Sequence, residues 1–147
     1  MTLGIKVDVM PTRDGILGSV NRWFAAAMRD ATEIDLGHDV TIRLISAQCF
    51  VATKLEAFRG RGGDDYRLSH DLEDVIAIVD GRAGLGDEIR ASAPELRDYL
   101  AEAISTLLGT EAFREALPGY LPGDAASQAR LPLLLERLAR IAGCSPR

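Results

Sequence analysis

The sequence predicts an α+β fold: a small mixed or antiparallel sheet of about three strands packed on helices, then a helical C-terminal half. Three observations predict it. Apolar and polar residues alternate near the N-terminus, a second alternating stretch is broken by a glycine, and from Ser46 onward apolar residues recur at three and four.

In "LGIKVDVMP", Ile5, Val7 and Val9 alternate with Lys6, Asp8 and Met10, the period of a half-buried strand, and Pro11 ends it because it has no N–H to donate. From Asp14, Ile16, Leu17, Val20, Trp23, Phe24, Ala27 and Met28 mark an amphipathic helix. "TEIDLGHDVTIRLIS" reads as two short strands in a hairpin around Gly37. Ser46 is placed to cap the helix "AQCFVATKLEAFR", which turns Phe50, Val51, Leu55 and Phe58 inward. Gly60, Gly62 and Gly63 end that helix in a flexible turn. Ser69 caps the next helix, "HDLEDVIAIVD", whose acidic first turn suits the positive end of the helix dipole.

Beyond Gly81 the pattern is helical throughout. Leu96, Tyr99, Leu100, Ala103, Ile104, Leu107 and Leu108 form one stripe, and Pro94 sits at its start, where a missing N–H costs little. A short helix at "EAFREAL" and the turn "PGYLPGD" lead to a last helix with Leu134, Leu135, Leu138 and Ile141 inward and Gly143 as its stop. The 147 residues fit one domain, with no repeat or linker.

Bulk properties exclude some classes. No apolar run approaches the ~20 residues of a membrane span, and no secretory signal opens the chain. Cys49 and Cys144 lack metal-ligand or redox spacing, so a reduced, cytoplasmic setting is expected. A net charge of −5 argues against general nucleic-acid binding but permits a local cationic pocket from Arg59, Arg61 and Arg67. P-loop, zincin and hydrolase motifs are lacking, and His38 and His70 stand too far apart for zinc. Trp23 and Tyr66 are candidates for stacking on a base, although Trp23 fits the apolar stripe.

Charge concentrates in "TKLEAFRGRGGDDYRLSHDLEDVIAIVDGR", around the glycine turn. Asp71 and Asp74, three apart, share a helix face. Lys54 and Arg59, five apart, stand about 140° around a helix and cannot both face one ligand. Two readings stay open: an ion-pair network between consecutive helices, or a site that handles phosphate. Asp8, mid-strand, is likewise either a solvent-facing acid or an oxygen ligand for Mg²⁺.

"KVDVMPT", "ILGSVNRW" and above all "ATKLEAFRGRGGDDYRLSHDLEDVIAIVDGR" resemble bacterial proteins of the nucleotidyltransferase-like superfamily, with its polymerase-β-like core, on the side of the AbiEii-type abortive-infection toxins. Those proteins carry a lysine, four residues, an arginine, then a basic residue before Asp-x-x-Asp. Lys54, Arg59, His70, Asp71 and Asp74 match, with a longer spacer and with His70 where lysine is common. Val7-Asp8-Val9 looks like the third strand carboxylate of the catalytic core. The resemblance spans residues 4–82, leaving 83–147 as a helical part of the same domain.

The resemblance implies nucleotidyl transfer from a nucleoside triphosphate to an acceptor such as an RNA end, with Mg²⁺ clamping the attacking and leaving oxygens. Asp8, Lys54 and Asp71 are then the expected catalytic residues, Asp8 also the metal ligand, and Lys54, Arg59, Arg61 and Asp74 contact the nucleotide. One departure is large. Such enzymes open with a Gly-Gly or Gly-Ser phosphate loop and an Asp-x-Asp pair, whereas only "MTLGIKV" precedes Asp8 here. As given, the chain is expected to be incomplete for catalysis. Three accounts follow: a misassigned start, a remnant that binds nucleotide or RNA, or a non-catalytic interaction protein, of toxin–antitoxin type, acting as a homodimer or through a protein partner.

Overall fold

The computed structural model describes residues 21–61 and 63–143. The expected first strand with Asp8, the start of the helix from Asp14, Gly62 and Cys144 lie outside the described residues. Among those described, the sheet has two strands rather than about three.

The first helix, α1 (Phe24–Arg29), is short; among the described residues of its predicted stripe, Trp23 and Ala27 are buried, Phe24 is half-buried and Met28 is 46% exposed. The Asn21 amide donates to the Thr53 carbonyl at 2.6 Å, fixing the entry to α1 against the middle of the next helix. Strands β1 (Thr32–Asp35) and β2 (Thr41–Leu44) pair antiparallel, with Ile34 opposite Ile42 and Glu33 opposite Arg43. Their connection needs three successive left-handed residues, Gly37, His38 and Asp39. Glycine adopts that region freely, and Asp and His are among the side chains that tolerate it best. Asp35 accepts from the Gly37 N–H at 2.7 Å and starts the turn.

The core is helical. Helix α2 (Ala47–Gly60) begins where Ser46 accepts from the Cys49 N–H, and α3 (His70–Gly81) where Ser69 accepts from the Leu72 N–H, each at 3.3 Å. Val51, Ala52 and Leu55 of α2 are buried in the same core as Leu72, Val75 and Ile76 of α3, while Phe50 is only half-buried. Helices α4 (Leu85–Arg90), α5 (Pro94–Gly109) and α6 (Glu111–Ala116) follow, then a 3₁₀ turn (Leu117–Tyr120), α7 (Ala125–Gln128) and α8 (Leu131–Ala142). Pro94 occupies the first turn of α5, and the predicted stripe from Leu96 to Leu107 is buried; Leu108 is half-buried. Side chains of α5 and α8 complete the same core as α2 and α3.

Helix α8 also braces α3 by hydrogen bonding. The Arg137 guanidinium donates to the carbonyls of Val79, at 3.2 Å, and Asp80, in the last turn of α3. Those carbonyls lie where a helix runs out of partners. Leu134, Leu138 and Ile141 are buried as expected, but Leu135, one residue further round the helix, is 37% exposed. A buried stripe on a surface helix is narrow, and four leucines in five residues cannot all join it. Leu138→Ala is expected to cost about 2–5 kcal/mol in urea unfolding, and Leu135→Ala less than about 1 kcal/mol. Equal losses would mean that α8 packs on a different face.

Candidate functional site

The charged residues singled out by their spacing do not share one site: four meet across the α2–α3 seam, and Arg59, Arg67 and His70 turn to other partners. Lys54, in the middle of α2, points across to the first turn of α3. Its Nζ lies 2.6 Å from Asp74 Oδ2 and 3.5 Å from Asp71 Oδ1. Arg61, just past the end of α2, pairs with the other oxygen of Asp71. Lys54, Arg61, Asp71 and Asp74 thus form one network across the α2–α3 seam. Both expected readings of this stretch, ion-pair seam and phosphate-handling cluster, start from that arrangement.

Burial differs sharply within the network. Asp71 is 4% exposed, whereas the Arg61 side chain remains 72% exposed and Lys54 28%. A carboxylate out of water needs its charge met by cations and hydrogen bonds, and Lys54 and Arg61 supply both. Burial by itself pulls the Lys54 pKa down. The hydrogen bond and charge of Asp74, and then those of Asp71, outweigh it, so the net shift is upward from 10.5. Lys54 is therefore a fixed cation at neutral pH.

Arg59 is elsewhere. Its guanidinium lies over the Tyr99 ring, 5.3 Å from the centroid, so it ties α2 to α5 rather than to α3. The five-residue offset from Lys54 requires such a divergence. Arg22 covers the same ring at 5.1 Å, and the Tyr99 hydroxyl donates to Glu56 at 2.9 Å. Burial, and then Glu56, push the Tyr99 pKa far above its ordinary value, so the hydroxyl stays a donor. Arg67 pairs with Glu115 at 3.7 Å. The three arginines that are neighbours in sequence therefore point to Tyr99, Asp71 and Glu115, and they do not share one pocket.

The turn between the helices is held by its backbone. Gly63 takes φ +67°, and its N–H bonds the Phe58 carbonyl at 3.1 Å, closing the end of α2. Asp65 accepts from the N–H groups of Arg67, at 3.3 Å, and Leu68, at 2.9 Å. Tyr66, a candidate for stacking, instead packs between Phe58 and Phe113, with centroids at 5.6 and 6.4 Å. His70 is exposed and bonds Glu73 at 3.1 Å. At the Arg61–Asp71 end of the network opens a recess of about 250 Å³, with Phe58 and Leu68 as apolar wall and Arg61, Asp65, Ser69, His70 and Asp71 as polar rim.

The fit to Mg²⁺ is poor among these residues. Asp71 and Asp74 both meet Lys54, and no cluster of three or more His, Cys, Asp or Glu among the described residues could hold a metal. Asp8, the expected metal ligand, lies outside the described residues. No described helix is long and apolar enough to cross a membrane. Spacing could not find Tyr120, whose hydroxyl reaches the Tyr66 carbonyl from 54 residues away. No family model, curated protein or solved structure matches the chain.

The upward shift of Lys54 makes a signed prediction. A group with a higher pKa folded than unfolded contributes fully below its unfolded value and loses that contribution as pH rises through the folded one. The urea midpoint of wild type minus that of Lys54→Met should be constant from about pH 8 to about pH 10 and shrink above that range. A difference that stays level up to about pH 12 would contradict the network.

Proposed function

We propose that the α2–α3 seam binds the phosphates of a nucleoside triphosphate or an RNA end, in a nucleotidyltransferase-like protein whose described residues do not complete a catalytic site. The observation that carries this reading is convergence. Of the five residues matched on resemblance, Lys54, Asp71 and Asp74 meet around one ammonium group although Lys54 stands 17 positions before Asp71, while Arg59 and His70 turn to Tyr99 and Glu73. A cation clamped by two carboxylates loses little freedom when it meets a ligand, and a recess opens at the other end of the network, where Arg61 and Asp71 line it. Arg61, largely exposed, can turn its fork toward a phosphate while Lys54 stays on Asp71.

The network also limits the affinity. Two cations and two acids sum to zero, so a phosphate gains no strong attraction at a distance. A counter-cation carried by the nucleotide would relieve repulsion from Asp71 and Asp74, so binding should need Mg²⁺ in solution. In titration calorimetry with ATP and Mg²⁺, Lys54→Ala should bind at least about tenfold more weakly, and Arg59→Ala within about twofold of wild type. Equal affinity for wild type and Lys54→Ala would remove this reading.

A second reading, self-association, is favoured by the hairpin. Leu36, Val40, Ile42 and Leu44 are 58%, 49%, 40% and 55% exposed, beside a mostly apolar groove of about 600 Å³ under Ile34, Leu44 and Phe50. Among the described residues both strand edges are unpaired, and such an edge is complementary to a second copy of itself. Sedimentation velocity should then show a concentration-dependent dimer that Leu44→Asp disperses. A wild-type monomer at every concentration would set self-association aside.

A further inference from the structure

Resting on the phosphate-seam reading, we propose that Tyr120, in the C-terminal half, is a positioning residue for the seam: it holds the loop of residues 63–69 that joins Arg61 to Asp71. That loop has few ties to the core. Asp64, Asp65, Arg67 and Leu68 are exposed, Leu68 by 80%, and Tyr66 is its one side chain packed against the hydrophobic core. The Tyr66 ring is held between Phe58 and Phe113, and its carbonyl accepts the Tyr120 hydroxyl at 2.7 Å.

Tyr120 is itself well anchored. It closes the 3₁₀ turn that starts at Leu117, which is 1% exposed, and is followed by Leu121, at 6%. Burial, then the charges of Asp65 and Glu73, push its pKa up to about 12, so the hydroxyl keeps its proton and donates at neutral pH. Both acids belong to the region it braces, one in the loop and one in the first turn of α3. The path runs from Tyr120 to the Tyr66 carbonyl, along the loop, to the Arg61–Asp71 pair at its two ends and on to Lys54. Loosening the middle of the loop lets Arg61 and Asp71 drift and widens the recess.

Tyr120→Phe keeps the ring and removes the hydroxyl, both as donor to Tyr66 and as acceptor facing the Ser69 backbone. Tyr99→Phe is the matched control, because that hydroxyl is also committed to one acceptor but serves the α2–α5 contact. Amide exchange at residues 63–69 should speed about fivefold in Tyr120→Phe and stay at the wild-type rate in Tyr99→Phe, whatever either does to Tm. In ATP titrations, Tyr120→Phe and Arg61→Ala should be non-additive, while Tyr99→Phe and Arg61→Ala should add. Unchanged loop exchange in Tyr120→Phe, or additivity of its effect with Arg61→Ala, overturns the proposal. Absence of ATP binding by wild type would instead overturn the phosphate-seam reading, and loop exchange alone would then decide whether Tyr120 holds the loop.

Discussion

Asp71 cannot remain buried without its two cations, and much of the architecture follows from meeting that requirement. Lys54 must reach it from α2, which sets the rotation of α2 about its axis. Arg61 must reach it from beyond the end of α2, which sets where the helix stops and the glycine turn begins. Asp71 lies in the first turn of α3, beside Ser69, so the position of α3 follows as well. A buried carboxylate met by partly exposed cations seldom adds much net stability, but removing its partners leaves an uncompensated buried charge.

The same network carries the functional interest and sets its limits. Positive charge that already has carboxylate partners is a poor long-range attractor and a good short-range positioner. Under the proposed phosphate-binding reading, the ligand is one that arrives with its own counter-charge, and the recess at the loop is where Arg61 and Asp71 reach the surface. The hairpin contributes differently. It exposes Ile42 and Leu44 on one face of β2, while Arg43, in register with Glu33, donates to the Met28 carbonyl, so its two faces call for different surroundings.

Much of the helical architecture was legible because its signals are local. Ser46, Ser69 and Pro94 mark helix starts through one hydrogen bond or one missing donor, and all three stand where expected. Gly37 marked the hairpin, since few residues enter the left-handed region. Leu135 was misread because periodicity does not tell the edge of an apolar stripe from its centre. In the candidate site, helical spacing placed Asp71 and Asp74 on one face and separated Arg59 from Lys54. It could not say that Arg61 would be the second cation on Asp71, nor that Tyr99 would take Arg59. Those contacts depend on how helices distant in sequence stack, and pairwise spacing does not contain that. Tyr120 is the extreme case, because its partner is a backbone carbonyl and leaves no mark on residue type.

The Arg137 clamp on the last turn of α3 bears on what a minimal version of this molecule could be. Helix α3 is secured at its start by its own Ser69 and at its end by a guanidinium from the final helix. A fragment ending at Arg82 would retain every member of the charged network yet leave the tail of α3 with bare carbonyls and no α8 beneath it. The part of the chain that holds the charged network and its helical remainder therefore constitute a single mechanical object, and excising the former would yield the right side chains on a loose frame.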